Sequence, residues 1–360
     1  MKKNNQTKNQ DADHRLNNTP DTDINDLEVD GKKKGFRVNM HFVLLCVVLL
    51  FIGIIAYRIT HYGKFISQEE IFRDGLGTYE DETFDEIIPL MDANHQPIPL
   101  DYSDGLTILA FGNAPLADDR DSENGLANMI ARQAEANVIN CAVSGSYLAA
   151  QSPSFDANSA PMDIYTFYWL CVLATGIDID RHFSGAAEVL GENMPPDATA
   201  AYNNLKNVDM NTVDAILIMY DASDYMMGNP TYNPQNLTDI MCFSGNLEAG
   251  IELIQKNYPN IRIIIMSPTY AYAVDDNGKY ISSEKQSYGE AYLSDYHAGQ
   301  YFTSLSRNVT FVDNLYGTFT EEDADEYLSD NLHLNAKGRQ AVADRFVDAL
   351  TYFNKISIPE

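Results

Sequence analysis

Asp330 and His333 are the residues of this chain whose types and spacing are best suited to chemistry. The carboxylate precedes the imidazole by three residues, just before the last helix that the sequence predicts. In such a pair the imidazole acts as a general base, and the carboxylate fixes its tautomer and stabilises its protonated form. A D-x-x-H pair can also be a purely structural contact, so other parts of the sequence must decide whether a hydrolytic site is present.

Five short apolar segments predict the strands that would position this pair, at residues 106–111, 137–143, 215–220, 261–267 and 309–313. Amphipathic segments between them predict helices at residues 121–136, 247–256, 287–305 and 335–353, with a helical insertion at about 150–210. Strands rich in Ile, Val and Leu that alternate with helices are typical of a parallel sheet covered on both faces. Ligands of such sheets bind at the carboxyl ends of the strands, where the polar motifs of this chain lie.

Placed on these strands, the motifs of residues 105–355 resemble the defining blocks of the SGNH/GDSL hydrolases. The last block, D-x-x-H-x-N-x-x-G, is matched in full by residues 330–338. The second block, N-x-G-x-S-G, is matched by residues 140–145 except at Ala142, so the resemblance puts Gly145 at an oxyanion position. The third block, G-x-N-D, is replaced by DASD at residues 221–224. Ser223 therefore stands where the family has an asparagine donor.

The first block departs from the family at its nucleophile. Where the family has G-D-S, this chain has Gly112, Asn113 and Ala114. Alanine has no lone pair with which to attack a carbonyl, so the family mechanism cannot start from this position. Ser144 and Ser146 flank Gly145 and are alternative nucleophiles, although their hydroxyls can equally serve to hold the turn.

The resemblance implies a flavodoxin-like three-layer α/β/α fold around a five-stranded parallel sheet. It also implies an acyl-ester hydrolase or O-acyl transferase that acts weakly on cell-envelope or extracellular glycans. In that role His333 is the base, Asp330 orients it, and Gly145 and Ser223 are the oxyanion donors. The alternative is a catalytically inactive surface module that binds a glycan or a protein through the retained cleft.

Residues 38–58 predict a transmembrane anchor. Residues 42–57 carry no charge, and the run with its flanks approaches the length that spans a bilayer. A cleaved signal peptide is the alternative, but no small-residue cleavage site follows the run. Basic residues at 32–37 outnumber those just after it, which places the N-terminus in the cytoplasm and the C-terminal domain outside the cell. We therefore expect a disordered cytoplasmic tail (1–37), a single-pass anchor (38–58), an extracytoplasmic stalk or draping linker (59–103) and an SGNH-like domain (104–357).

The charge of the chain restricts its partners further. The chain has 52 acidic and 24 basic side chains and a net charge of −28, without a basic stripe, so nucleic acid is excluded as a partner.

Three cysteines lie outside the apolar run, and an odd number of cysteines cannot all pair with one another. They are Cys141, Cys171 and Cys242. Three buried thiols are expected, and one disulfide among them stays an open alternative.

No sequence motif for a cofactor or a catalytic metal is present, so none is expected. Carboxylates cluster after the first and third predicted strands. We expect them to lie in solvated loops and to cap helices, and a binding site for a hard divalent cation is the alternative. These carboxylates are Asp118, Asp119, Asp121, Asp221 and Asp224. His182 and His297 lie in polar helical segments and are expected at the surface.

Overall fold

The computed structural model describes residues 83–91, 97–98 and 105–356, with side chains up to residue 353. The predicted tail (1–37), the membrane anchor (38–58) and most of the linker (59–103) lie outside the described residues and stay predictions. Among the described residues, no helix is both long enough and apolar enough to cross a bilayer.

Five parallel strands form the central sheet, in the order β2-β1-β3-β4-β7. They are β1 (Leu106–Gly112), β2 (Ala136–Asn140), β3 (Ala215–Met219), β4 (Arg262–Met266) and β7 (Thr310–Val312). The predicted α/β fold with a five-stranded parallel sheet is therefore confirmed. Counted among themselves, the sheet strands follow the flavodoxin-like order 2-1-3-4-5, in which the chain reverses direction across the sheet between β1 and β3.

A separate two-stranded antiparallel hairpin, β5 (Tyr272–Val274) and β6 (Tyr280–Ser282), was not predicted from the sequence. Both strands have only three residues, too few for periodicity to distinguish them from a loop.

The helices of the described part of the chain surround this sheet. They are α1 (Ala114–Ala117), α2 (Leu126–Gln133), α3 (Phe167–Ala174), α4 (Asp180–Leu190), α5 (Ala198–Asn207), α6 (Ser223–Met227), α7 (Phe243–Asn257), α8 (Leu293–Arg307), α9 (Asn314–Gly317) and α10 (Ala336–Ile356). Helices α2 and α10 pack against each other, while α3 packs on α5 and α7, and α7 packs on α8. Every residue of β3 and β4 is buried, as expected for parallel strands covered on both faces.

Two helix boundaries show how local hydrogen bonds set the ends of the elements. Helix α10 begins as predicted, because the Asn335 side-chain oxygen accepts hydrogen bonds from the Lys337 and Gly338 N–H groups. The prediction that α2 begins at residue 121 or 122 was wrong, since α2 begins at Leu126. Ser122 is instead part of a tight turn, in which its hydroxyl accepts from the Asn124 N–H and its carbonyl from the Asn128 side chain.

Residues 83–91 of the predicted linker lie along the edge strand β7. Glu86 and Phe311 exchange two backbone hydrogen bonds of 2.9 Å in antiparallel orientation. The Ile88 N–H donates to the Thr310 hydroxyl, which in turn donates to the Ile88 carbonyl. This segment therefore satisfies backbone groups of β7 that an uncovered edge strand would leave unpaired.

His297 is buried, so the prediction that it lies at the surface was wrong. Its side chain is 1% exposed, and Nε2 lies 2.9 Å from an Asp313 carboxylate oxygen. The Phe84 ring from residues 83–91 packs edge-on against the imidazole. Sequence periodicity did not reveal this cluster, because Asp313 follows a different element and Phe84 comes from a distant part of the chain.

The three described cysteines are free and buried, as expected. Cys141 follows β2, Cys171 lies in α3, and Cys242 precedes α7, so each thiol occupies a separate part of the core.

Candidate active site

Ala114 and Ser223 follow neighbouring strands at the point where the chain reverses direction across the sheet. Strands β1 and β3 are paired up to their last residues, Gly112 and Met219. Ala114 then opens α1 and is 7% exposed, while Ser223 opens α6 and is half-buried. In sheets of this order a ligand binds at the crevice between these two strand ends.

Asn113, which the motif resemblance aligns with an aspartate, connects the loops after β1, β2 and β3. Its Nδ2 group donates to Asp221 Oδ1 at 2.7 Å and to the Ser146 carbonyl at 3.1 Å. Its Oδ1 atom accepts from the Asp221 N–H at 2.9 Å. An amide supplies both a donor and an acceptor here, which an ionised aspartate cannot do. The partners of Asn113 are 33 and 108 positions away, so local sequence did not indicate this role.

Gly145 lies in an exposed turn after β2. Its φ is +70°, in the left-handed region, and a Cβ built on it would meet no atom within 4 Å. The turn is fixed to β1 by the Val143 N–H, which donates to the Gly112 carbonyl at 3.0 Å. Glycine suits this backbone conformation at no steric cost, and the open space beside it leaves room for a ligand.

Both alternative nucleophiles are engaged in hydrogen bonds within this turn. Ser146 is fully buried, and its hydroxyl donates to the Val143 carbonyl at 2.8 Å. Ser144 donates to Asp197 Oδ2 through its N–H at 3.0 Å and through its hydroxyl at 3.1 Å. Asp197 belongs to the helical insertion, 53 positions further on, so sequence spacing gave no signal of it. These contacts favour a structural role for both serines.

Asp330 and His333 form the predicted pair. His333 Nδ1 lies 2.7 Å from Asp330 Oδ2, and both side chains are about 40% exposed. The other carboxylate oxygen accepts from the His333 and Leu332 N–H groups at 2.7 and 2.8 Å. Because the carboxylate is held by two backbone donors, it fixes the imidazole with Nδ1 turned toward Asp330.

The electrostatic surroundings favour a charged His333. Partial burial opposes the charge, but the hydrogen bond to Asp330 and the charges of Asp330, Asp118 and Asp221 outweigh it and raise the His333 pKa. For Asp330, burial is likewise outweighed by the hydrogen bonds from His333 and Leu332, and its pKa is lowered. Asp118 and Asp221, whose charges act on His333, follow β1 and β3 respectively.

Arg339, which the sequence analysis did not single out, holds the His333 loop against the loop after α1. It donates to the Asn124 and Leu334 carbonyls at 2.7 Å each and forms an ion pair with Asp119.

The structure thus places Ala114, Gly145, Ser223 and the Asp330–His333 pair at the carboxyl edge of the sheet. Their catalytic roles stay predictions.

The carboxylates near the site are mostly engaged with protein donors. Asp224 is buried and accepts from the Leu148 and Ala149 N–H groups and the Asn229 side chain; burial raises its pKa to about 6 against these hydrogen bonds. Asp221 accepts from Asn113 and from the Ser223 N–H. Across residues 83–91, 97–98 and 105–356, no group of three His, Cys, Asp or Glu side chains is placed to hold a metal ion.

The comparisons with known proteins concern the fold. No model of a protein family and no curated protein matches this chain. A solved candidate lipase from Chitinophaga pinensis matches with 14% identity and a TM-score of 0.44, over 70% of this chain and all of that one. A carbohydrate acetylesterase from Sinorhizobium meliloti matches with 12% identity and a TM-score of 0.40, over 69% of this chain and 99% of that one. A candidate SGNH hydrolase from Slackia heliotrinireducens matches with 14% identity and a TM-score of 0.39, over 68% and 99%. The chain is thus a distant structural match to SGNH/GDSL-like lipases and esterases.

Proposed function

We propose that this protein is a membrane-anchored, extracytoplasmic ester hydrolase that acts slowly on acylated glycans and uses water as its nucleophile. The observation that carries the proposal is the contact of 2.7 Å between His333 Nδ1 and Asp330 at the carboxyl edge of the sheet. A base oriented by a carboxylate is the part of a hydrolytic triad that activates the attacking oxygen. Transfer of the acyl group to a second hydroxyl would use the same residues.

In this mechanism His333 Nε2 accepts a proton from water as the water oxygen bonds to the ester carbonyl carbon. The negative charge that forms on the carbonyl oxygen is stabilised by the Gly145 N–H and the Ser223 hydroxyl. When the intermediate collapses, the bond to the sugar oxygen breaks and that oxygen takes the proton from His333. The products are a carboxylic acid and a free sugar hydroxyl, and the enzyme is unchanged.

Two features of the site keep the proposed reaction slow. Ala114 removes the covalent route, so a water must be positioned for attack without a fixed hydroxyl. Asp118 and Asp221 lie near His333, and their negative charges oppose the oxyanion while favouring the protonated imidazole. A site with these groups retains base catalysis but loses most of the rate of a complete triad.

The first prediction tests this activity in the full-length protein. We expect low turnover of a short aryl ester such as 4-nitrophenyl acetate, and loss of that turnover in His333→Ala. The rate should rise with pH as His333 loses its proton, with a midpoint above the usual histidine range because its pKa is raised. Asp330→Asn should lower the rate and move this midpoint to lower pH. The control is His182→Ala on helix α4, which removes a histidine outside the site and should leave the rate unchanged. His182 is half-buried against the Phe155 and Trp169 rings, so the prediction that it lies at the surface was wrong. Equal rates in the wild type and His333→Ala would exclude His333 as the base.

A binding module is the second candidate, and the residues at the nucleophile positions favour it. Ala114 cannot attack an ester, and Ser146 is buried with its hydroxyl bonded to Val143. A wild-type protein that binds an acylated glycan but does not release acid from it would support this function instead.

The second prediction concerns the proposed membrane anchor. We expect protease added to intact cells to degrade the domain after residue 58, while an epitope tag fused before residue 1 stays protected. The proposal is supported by the uncharged run at residues 42–57 and the basic residues at 32–37. An intracellular epitope tag exposed by lysis is the control. A trimmed protein that appears in the medium without residues 1–58 would show a cleaved signal peptide.

A further inference from the structure

The candidate active site carries an excess of negative charge. Three carboxylates act electrostatically on His333, those of Asp330, Asp118 and Asp221. They outweigh the single positive charge that a protonated His333 supplies. Arg339 also acts on Asp118, but it already forms an ion pair with Asp119. A ligand with a positive charge is therefore favoured in this site.

Asn113 brings Asp221 close to Tyr147, which has had no role in the site so far. The Asn113 Nδ2 group donates to Asp221 Oδ1 at 2.7 Å and to the Ser146 carbonyl at 3.1 Å, and Tyr147 is the next residue. Asp221 is 4% exposed, yet its second oxygen, Oδ2, accepts no hydrogen bond from the described part of the chain and keeps accessible surface. An ionised oxygen in this state is a strong acceptor for a cationic donor.

Tyr147 supplies an aromatic ring beside this carboxylate. Its side chain is half-buried, and its hydroxyl is open to a ligand and makes no hydrogen bond with a described residue. Burial and the negative charges of Asp224 and Asp221 raise the Tyr147 pKa, so the phenol stays neutral. The face of a neutral tyrosine ring attracts cations, and quaternary ammonium groups are commonly bound in this way.

Asp118 adds a second open carboxylate on the side of His333. It follows the last residue of α1, and its N–H donates to the Ala114 carbonyl at 2.8 Å. Its half-buried carboxylate accepts no hydrogen bond among the described residues. Partial burial and two neighbouring carboxylates raise the Asp118 pKa against the opposing charges of His333 and Arg339. A bound cation would stabilise the ionised form that these surroundings disfavour.

These groups suit an organic cation better than a metal ion. Within residues 83–91, 97–98 and 105–356, no three His, Cys, Asp or Glu side chains converge as metal ligands. An ammonium group can instead pack on an aromatic ring with carboxylates at its rim. In the proposed reaction, its charge would also offset the carboxylates that oppose the oxyanion.

From these observations we infer that the substrate of the candidate site is an ester whose alcohol part carries an ammonium group, held by Asp118, Asp221 and Tyr147. In a glycan, this group is the protonated amine of an amino sugar that lacks its acetyl group. The inference deepens the proposed function, on which it rests for the ester bond. Its test measures binding alone, so selective binding without hydrolysis would support the cation site and contradict the hydrolase.

The experiment uses the full-length protein and two alcohols, choline and 3,3-dimethylbutan-1-ol, in calorimetric titrations at low ionic strength. The alcohols have the same shape and differ in a quaternary nitrogen or carbon, so they are distinguished by charge. We expect choline to bind about tenfold more tightly, the combined effect of a partly exposed ion pair and a cation–π contact. The difference should shrink at high salt, because salt screens half-exposed charges.

Variants of the two open side chains locate the cation. Asp118→Asn should weaken choline binding about fivefold and leave the neutral alcohol unchanged. The matched control is Asp276→Asn, which removes the same charge from the exposed turn between β5 and β6 and should change neither affinity. Tyr147→Phe keeps the ring and should retain choline binding, whereas Tyr147→Leu should weaken it. Because burial disfavours the Asp118 charge, Asp118→Asn should unfold at or above the wild-type midpoint.

The pH dependence of choline binding tests how close the cation lies to His333. A protonated imidazole repels the cation, so affinity should rise with pH as His333 loses its proton, and this rise should be absent in His333→Gln. A rise that persists in His333→Gln would place the cation elsewhere and overturn the inference. Equal affinity for the two alcohols, unchanged choline affinity in a folded Asp118→Asn protein, or an equal loss in Asp276→Asn would overturn it as well.

Discussion

Ala114→Ser is expected to raise the esterase activity of the full-length protein on the order of 100-fold over the wild type. The base, its orienting carboxylate and one backbone oxyanion donor are present in the proposed site, and the substitution adds the hydroxyl that the covalent route requires. Ala114 opens helix α1 immediately after β1, at the strand end beside Ser223. The change adds one oxygen to a small side chain and leaves the surrounding fold in place.

The gain should be partial for two physical reasons. Ser223 stands where the hydrolases that the motifs resemble have an asparagine donor, and the loss of one oxyanion donor costs about 3 kcal/mol. Asp118 and Asp221 also act on the site with negative charge, which opposes the developing oxyanion. Ser223→Asn should therefore raise the rate further when combined with Ala114→Ser and do little without it.

Three measurements make the Ala114→Ser result interpretable. Adding His333→Ala to Ala114→Ser should return the rate to background, because the new serine needs a base. Mass spectrometry after a short reaction should detect an acyl group on the introduced serine of the variant and none on the wild type. A wild type that already turns over esters and loses this in Ser144→Ala would show a relocated nucleophile, and the proposed role of water would be wrong.

Gly112→Ala is expected to destabilise the domain by about 3 kcal/mol or more. A Cβ at this position would lie 2.0 Å from the Met219 carbonyl oxygen, a backbone atom of the neighbouring strand. Because β1 and β3 are paired at this point, neither backbone can move without breaking the sheet where the candidate site is formed. Chemical denaturation of the two proteins, with activity measured in parallel, tests this expectation.

Gly185→Ala provides the matched control. Gly185 lies inside helix α4, and its new Cβ would make an ordinary contact of 3.4 Å with Ala157. Alanine is favoured over glycine in a helix by about 1 kcal/mol, so the same substitution should here be neutral or stabilising. Similar losses of stability at both positions would show that the close approach of β1 and β3 is not the cause.

The features that were predictable from sequence depend on contacts between near neighbours in the chain. The apolar runs predicted all five sheet strands. The signal is strongest in β3 and β4, which are buried along their whole length and consist mainly of Ile, Leu and Met. The Asp330–His333 pair was predictable because the two residues are three positions apart and share one turn. The same holds for Asn335, whose side chain caps the helix that begins at the next residue.

The features that sequence reasoning missed join distant segments. Asn113 links three loops, and Asp197 from the insertion holds the turn before Gly145. His297 is buried against Asp313. In each case a polar group has left water and is stabilised by a partner far away in the chain. Local periodicity records only which face of an element is buried, whereas the identity of such a partner depends on how the elements pack in three dimensions.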